Sequence, residues 1–205
     1  MRHMPCGEKV TERRGNSERQ GKAGLDLLCT REYTRAMAIE SFRNQSPQTE
    51  EAAFVAASAD LIGGVRMQAE ASAWYNSTLR ADVAPIIIGR GSNVQDNSCL
   101  HVDFDVPCVL GEYVTVGHSV TLHACTVEDK CLIGMGAIVL DGAVIGHGSI
   151  VGAHALVTKN TIIPPHSLVL GSPARVVRQL GPEVEEENYR HALEYVKLAR
   201  EYRDR

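Results

Sequence analysis

Along most of this chain the aliphatic residues recur with a period of six, which is neither the 3.6 of a helix nor the plain alternation of a strand. From Ile62 onward they run Ile88-Gly89, Val94, Leu100, Leu110-Gly111, Val116-Gly117, Leu122, Ile133-Gly134, Val139, Ile145-Gly146, Val151-Gly152, Val157, Ile163 and Val169. Glycine and then small or polar residues usually follow. Three side-chain alternations fit in each unit, so the pattern predicts an all-β solenoid, a parallel β-helix built from hexapeptides with one short strand and one corner per unit. The period breaks at three places. Leu79 to Ile88 is nine residues, Leu100 to Leu110 is ten, and Leu122 to Val127 is five. The two long intervals predict loops at Asp82-Val83-Ala84 and at about Asp103-Phe104-Asp105-Val106, and loops on a rigid scaffold are where functional groups gather.

The coil is expected to end near Gly171-Ser172-Pro173, a turn composition. After Pro182 the apolar residues Val184, Tyr189, Ala192, Leu193, Val196, Ala199 and Tyr202 fall mostly three or four apart, which predicts an amphipathic helix laid against the side of the coil. The layout is therefore a β-helix domain over residues 37–175 and a terminal helix over 182–205. Residues 1–36 are charged, glycine-punctuated and without an apolar period, and are read as a disordered or atypical extension.

Charge and composition narrow the function by exclusion. A net charge of −4 and a pI near 6.1 give no basic field for nucleic acid. No apolar run is long enough for a membrane span, and the first residues lack a secretory h-region, so a cytoplasmic protein is expected. The six cysteines, Cys6, Cys29, Cys99, Cys108, Cys125 and Cys131, have no Cys-x-x-Cys spacing. They are read as mostly reduced thiols, with Cys99, Cys125 and Cys131 serving as small hydrophobes inside apolar repeats.

The candidate chemistry lies between Leu100 and Thr126. His101, His118 and His123 are each preceded within two positions by an aliphatic residue of the repeat, and three imidazoles in so short a stretch suggest the ligands of one catalytic metal ion. His3, His147, His154, His166 and His191 are read as surface or structural groups.

From about Phe42 to Tyr202 the chain resembles the γ-class carbonic anhydrases, within the hexapeptide-repeat superfamily of left-handed β-helices. Trp74-Tyr75-Asn76, Leu79-Arg80-Ala81-Asp82, Ile88-Gly89, Asn93-Val94-Gln95-Asp96, Leu100-His101-Val102-Asp103 and Val116-Gly117-His118 carry the resemblance, with Leu122-His123-Ala124-Cys125-Thr126, Ile133-Gly134-Met135-Gly136-Ala137 and Leu170-Gly171-Ser172-Pro173-Ala174. The hexapeptide period is shared with many acyltransferases; the Arg-x-Asp, Gln-Asp and three-histidine set is far more specific.

The resemblance implies a left-handed coil with three hexapeptides per turn, so that every third unit lies on the same flat face. Counting from Leu79 as unit zero, Arg80, His101 and His123 are the second residues of units zero, three and six and form one column. Strands stacked about 4.8 Å apart can bring two imidazoles onto one metal. His118, in unit five, belongs to the face that carries Gln95 and Asp96, away from that column, and a neighbouring subunit packed face against face around a threefold axis could supply it. The family implies the same: a homotrimer with a metal at each interface, Zn2+ or else Fe2+ or Co2+, held by two histidines of one chain and one of the next. It further implies reversible hydration of carbon dioxide to bicarbonate by a metal-bound hydroxide. Arg80 and Asp82 then form an interface ion pair, Gln95 with Asn93 orients water, and Asp96 pairs across the interface. The chain departs from the family's archetype in its short loop after His101, which offers Asp103 and Asp105 where the archetype has a glutamate proton shuttle, and in Val83, where the archetype has another glutamate.

Two other readings stand beside this one. One is an acyltransferase or thioesterase of the same superfamily acting on an acyl-CoA with a histidine as general base. The other is a non-catalytic scaffold that keeps the trimer and the metal.

Overall fold

The structure, a computed structural model, describes residues 38–205. The extension expected over residues 1–36 lies outside the described residues.

The described chain is a left-handed parallel β-helix of about 7 turns that ends in a single helix, Pro182–Arg203. Its strands stack on three faces. The first face carries Ala38–Glu40, the leading parts of Asp60–Met67 and Thr78–Ile88, then Cys99–His101, Thr121–His123, Ile138–Val139 and Leu156–Val157. The second carries the trailing parts of those two long strands, then Cys108–Leu110, Thr126–Val127, Val144–Ile145 and Ile162–Ile163. The third carries Phe54–Val55, Ser72–Ala73, Asn93–Val94, Thr115–Val116, Leu132–Ile133, Ile150–Val151 and Ser167–Gly171. On this last face Ala174–Gln179 turns back antiparallel on Ser167–Gly171, and the expected turn at Gly171-Ser172-Pro173 closes that hairpin.

The period of six is the period of the interior. Leu79, Leu100, Leu122 and Val139 are register partners in successive rungs of the first face, and each is fully buried. Burying a side chain of this size stabilises by about 1.5–3 kcal/mol, so the ladder of aliphatics is the main source of stability. Leu61, which pairs with Leu79, is the inward residue of the preceding rung; Ile62, from which the sequence reading starts the repeat, pairs instead with Arg80 on the outside. Corners turn on left-handed residues, as at Asn97, Ser119, Gly136 and His154, which all have φ between 56° and 67°. Buried serines cap open carbonyls there: Ser98 Oγ donates to Gly117 O at 2.9 Å, and Ser92 Oγ to Gly111 O at 2.8 Å. Cys108, Cys125 and Cys131 lie in the interior; burial pushes the Cys131 thiol up to about 12, so it serves as an inert small hydrophobe.

The first long interval is not a detached loop. Thr78–Ile88 is one continuous strand, and its surplus residues are absorbed as a register shift opposite Gly63 and Val65. Gly63, at φ +73°, makes the bulge possible, because a Cβ there would lie 2.3 Å from the Ala81 carbonyl oxygen. Pro85, which cannot donate to a ladder, falls within the bulge. The second interval is a tight turn, with Asp103 N–H donating to Val106 O at 3.2 Å and Val106 N–H to Asp103 O at 3.1 Å. The terminal helix runs over the third face: Trp74 packs edge-on against Tyr195 and Tyr202, while Ala192, Val196 and Ala199 are buried.

Candidate metal centre

Leu100 and Leu122 point inward, so alternation turns His101 and His123 outward on neighbouring rungs. Arg80, His101 and His123 are in direct register, as the count of units predicts. The two imidazole rings lie 5.0 Å apart, and His101 Nδ1 faces His123 Nε2 at 3.1 Å.

A carboxylate holds the opposite side of each ring. His101 Nε2–H donates to Asp82 Oδ1 at 3.2 Å, and Arg80 pairs with the other oxygen of Asp82. His123 Nδ1–H donates to Asp141 Oδ1 at 2.9 Å, and Lys159 Nζ lies 3.2 Å from Asp141 Oδ2. With the protons held on those far nitrogens, the facing nitrogens present two lone pairs to one another. At this distance the two nitrogens can share one proton in a hydrogen bond or take one metal ion between them. On a tetrahedral ion with bonds of about 2.0–2.1 Å the ligand nitrogens are roughly 3.3 Å apart, so the pair fits a shared metal. A metal-ligating histidine whose other nitrogen is held by a carboxylate is the recurrent outer arrangement of such sites.

Burial pushes the Asp82 carboxyl up, but the hydrogen bonds from His101 and Arg80 outweigh it, and the group ends below the ordinary aspartate range. Asp141 behaves alike: burial raises it, while its own backbone N–H, Lys159 and His123 together lower it further. Both carboxylates therefore stay charged and keep their hold on the histidines. A pocket of about 390 Å³ opens beside Asp82, lined also by Arg43, Gln45, Val83, Pro85 and Asp105.

His118 lies elsewhere, at the corner between the third face and the first, where its Nδ1 pairs with Asp96 Oδ2 at 2.9 Å. Among the described residues, no single chain brings it within ligand distance of both His101 and His123. Asn93 and Gln95 are buried on the third face under the helix, with Gln95 Nε2 donating to Asn93 Oδ1 at 3.1 Å and Asn93 Nδ2 to Thr115 Oγ1 at 3.1 Å. The predicted residues thus form two sets, Arg80, Asp82, His101 and His123 on one face and Asn93, Gln95, Asp96 and His118 toward another. Asp141 and Lys159 are the members that sequence reasoning missed. Carrying the count one rung beyond His123, to the unit of Val139, places Asp141 beside that histidine.

This fold places the chain in the hexapeptide-repeat class of parallel β-helices, with a pair of braced histidines on one face. The repeat family described as bacterial transferase hexapeptide (six repeats) matches residues 124–159. A carbonic anhydrase of Geobacillus kaustophilus is 46% identical over 165 residues, covering 80% of this chain and 91% of that protein. Gamma carbonic anhydrase 1, mitochondrial, of Arabidopsis thaliana is 40% identical over 158 residues, 74% of this chain and 58% of that longer one. Among solved structures, a Bacillus cereus protein provisionally described as an acetyltransferase superposes with a TM-score of 0.79 at 40% identity, covering 83% of this chain and 98% of that one. The chain belongs to the γ-class carbonic anhydrase family.

Proposed function

We propose that this chain forms a homotrimer that reversibly hydrates carbon dioxide to bicarbonate, with one metal ion at each subunit interface held by His101 and His123 of one chain and the partner subunit's His118. The observation that carries the reading is the 3.1 Å approach of two imidazole nitrogens whose opposite nitrogens are both held by carboxylates. His118 carries the same kind of brace, Asp96 on its Nδ1, and its side chain is half-exposed.

Zinc, or Fe2+ or Co2+, all of which accept imidazole, would supply Lewis acidity and bring the pKa of an adjacent water to about 7. The chain's own residues do the rest. Asp82, Asp96 and Asp141 fix the tautomer of each ligand. Arg80, half-exposed at the foot of the column, steadies the anionic product. Gln95, anchored on Asn93, orients water, and Asp105, on the wall of the pocket beside Asp82, passes the released proton outward with Asp103 behind it. Free thiols among the described residues suit a reducing compartment, read as the cytoplasm, and no helix there is long and apolar enough to cross a membrane.

Stopped-flow hydration with metal content measured on the same sample tests this. His101→Ala is expected to lose one ion per chain and to slow hydration by more than the roughly 10–100-fold that loss of an outer partner brings. The likeness to the Bacillus cereus structure favours a second reading, acyl transfer from an acyl-CoA. Metal-free protein that turns over an acyl-CoA but leaves carbon dioxide at the buffer rate would establish that reading instead.

A further inference from the structure

At the opposite corner of the prism, between the second and third faces, two more histidines stack. His147 follows Val144–Ile145, His166 follows Ile162–Ile163 one rung later, and His166 N–H donates to His147 O at 2.8 Å. Their rings lie 4.6 Å apart, nearly perpendicular. Glu185, in the first turn of the terminal helix, reaches between them: its Oε2 is 3.3 Å from His147 Nδ1 and 3.5 Å from His166 Nε2. The three ligand atoms all lie within 4.8 Å of one another, the one such trio of histidine, cysteine or acidic side chains among the described residues.

We infer that His147, His166 and Glu185 form a second site, for a divalent transition-metal ion, that clasps the start of the terminal helix to the coil. Two imidazoles and one carboxylate oxygen are a donor set that zinc and its neighbours take up. Separations of 3.3 and 3.5 Å are those of atoms sharing one ion with bonds of about 2.0–2.2 Å. Lys130 occupies the other oxygen of Glu185 at 2.8 Å, which leaves Oε2 free to bind through one oxygen. His147 is half-exposed and lines an open groove of about 310 Å³ with Thr126, Glu128 and Asp129, so water can enter to complete the coordination. The backbone is shaped for the stack: at Gly148, φ +64°, a Cβ would lie 2.7 Å from His166 Nδ1. All three ligands belong to one chain, so this site needs no neighbouring subunit.

The same geometry ranks the two sites. An ion on His166 Nε2 requires the ring's proton on Nδ1, which is buried without a hydrogen-bond partner. His123 has Asp141 for that purpose. The clasp therefore binds more weakly, by roughly the 10–100-fold that an outer partner contributes.

The experiment is a titration of chelator-stripped, full-length protein with Co2+, reading stoichiometry by calorimetry and coordination by visible absorption. The wild type is expected to bind one more ion per chain than His147→Gln or Glu185→Gln, and the ion missing from the variants is the weaker one. Because the comparison is a difference of one, it holds whether or not the interface site fills. Equal stoichiometry in the wild type and a folded variant overturns the clasp. If both variants misfold, hydrogen exchange of the His101→Ala protein decides: Zn2+ must slow exchange over Val184 to His191, and exchange unchanged by Zn2+ overturns the clasp as well.

Discussion

The two halves of this coil follow different rules. After Val127 the inward positions run Ile133, Val139, Ile145, Val151, Val157, Ile163 and Val169, always six apart, and all are buried. Before Val127 the spacing fails at the bulge after Leu79, at the turn after Asp103 and at the short interval after Leu122. Every residue proposed to contact the interface metal or the product lies in the irregular half. The repeat family matches residues 124–159, almost wholly the regular half, and so registers the scaffold and none of the proposed ligands of the interface metal. Regular rungs supply stiffness, and departures from the repeat are where a face gains a concave wall. The halves still cooperate, since Asp141, which braces His123, comes from a regular rung.

The sharpest way to break that contrast is to make the irregular half regular. Deleting Val83, Ala84 and Pro85 returns the interval between Leu79 and Ile88 to six, the spacing from Leu61 to Met67 in the rung before. The coil is expected to keep its β-sheet circular dichroism, while the ion at the His101 and His123 pair is lost because Asp82 no longer holds His101. A deletion variant that retains that ion would show the bulge to be incidental to the site.

Core truncations come next. Leu122→Ala and Ile145→Ala remove buried side chains from the irregular and the regular half, and each is expected to cost about 2–5 kcal/mol in denaturant unfolding. Only the first lies beneath a proposed ligand of the interface metal. Occupancy of that interface site after mild chelation should therefore fall in Leu122→Ala and hold in Ile145→Ala, and equal losses would mean that the site senses global stability alone.

Asp141→Asn has a smaller and more local effect. It keeps the shape but removes the charge that fixes the His123 tautomer, so metal affinity is expected to drop by about 10–100-fold with little change in unfolding midpoint. An affinity within twofold of the wild type would remove Asp141 from the site.

What could be read from the sequence follows from where side chains must point. The interior demands an aliphatic every sixth residue, so the coil was legible, and with the three units per turn that the family resemblance implies so was the alignment of Arg80, His101 and His123. The earliest rungs were not, because Ala56, Ala59, Ala71 and Ala73 fill the interior there and carry no strong apolar signal. Corner residues were opaque for another reason. Asp141, His147 and His166 look like solvated turn positions, and only neighbours some 18 or more residues away give them partners. On the helix, Leu193 was expected to be buried and is exposed, whereas Asn188 is buried because its Nδ2 donates to the Lys130 carbonyl at 3.0 Å.

The smallest expected effect concerns how the helix is held to the irregular half. Arg200 Nε donates to Glu70 Oε2 at 2.9 Å, and that hydrogen bond, ahead of the opposing effect of burial, lowers the Glu70 pKa below its ordinary 4.5. Because the folded-state pKa is depressed, the pair's contribution is complete above pH 4.5 and is lost as the pH falls through the folded-state value. Arg200 is half-exposed and Glu70 about one-third exposed, so the contribution is modest and screened by salt. Between pH 6 and pH 4 the melting temperature of the wild type should accordingly fall slightly more than that of Glu70→Gln, with the difference disappearing in about 1 M NaCl. Parallel pH profiles at low salt would show that this ion pair does not hold the helix, leaving that to packing such as the Tyr202 contacts with Trp74 and Phe54.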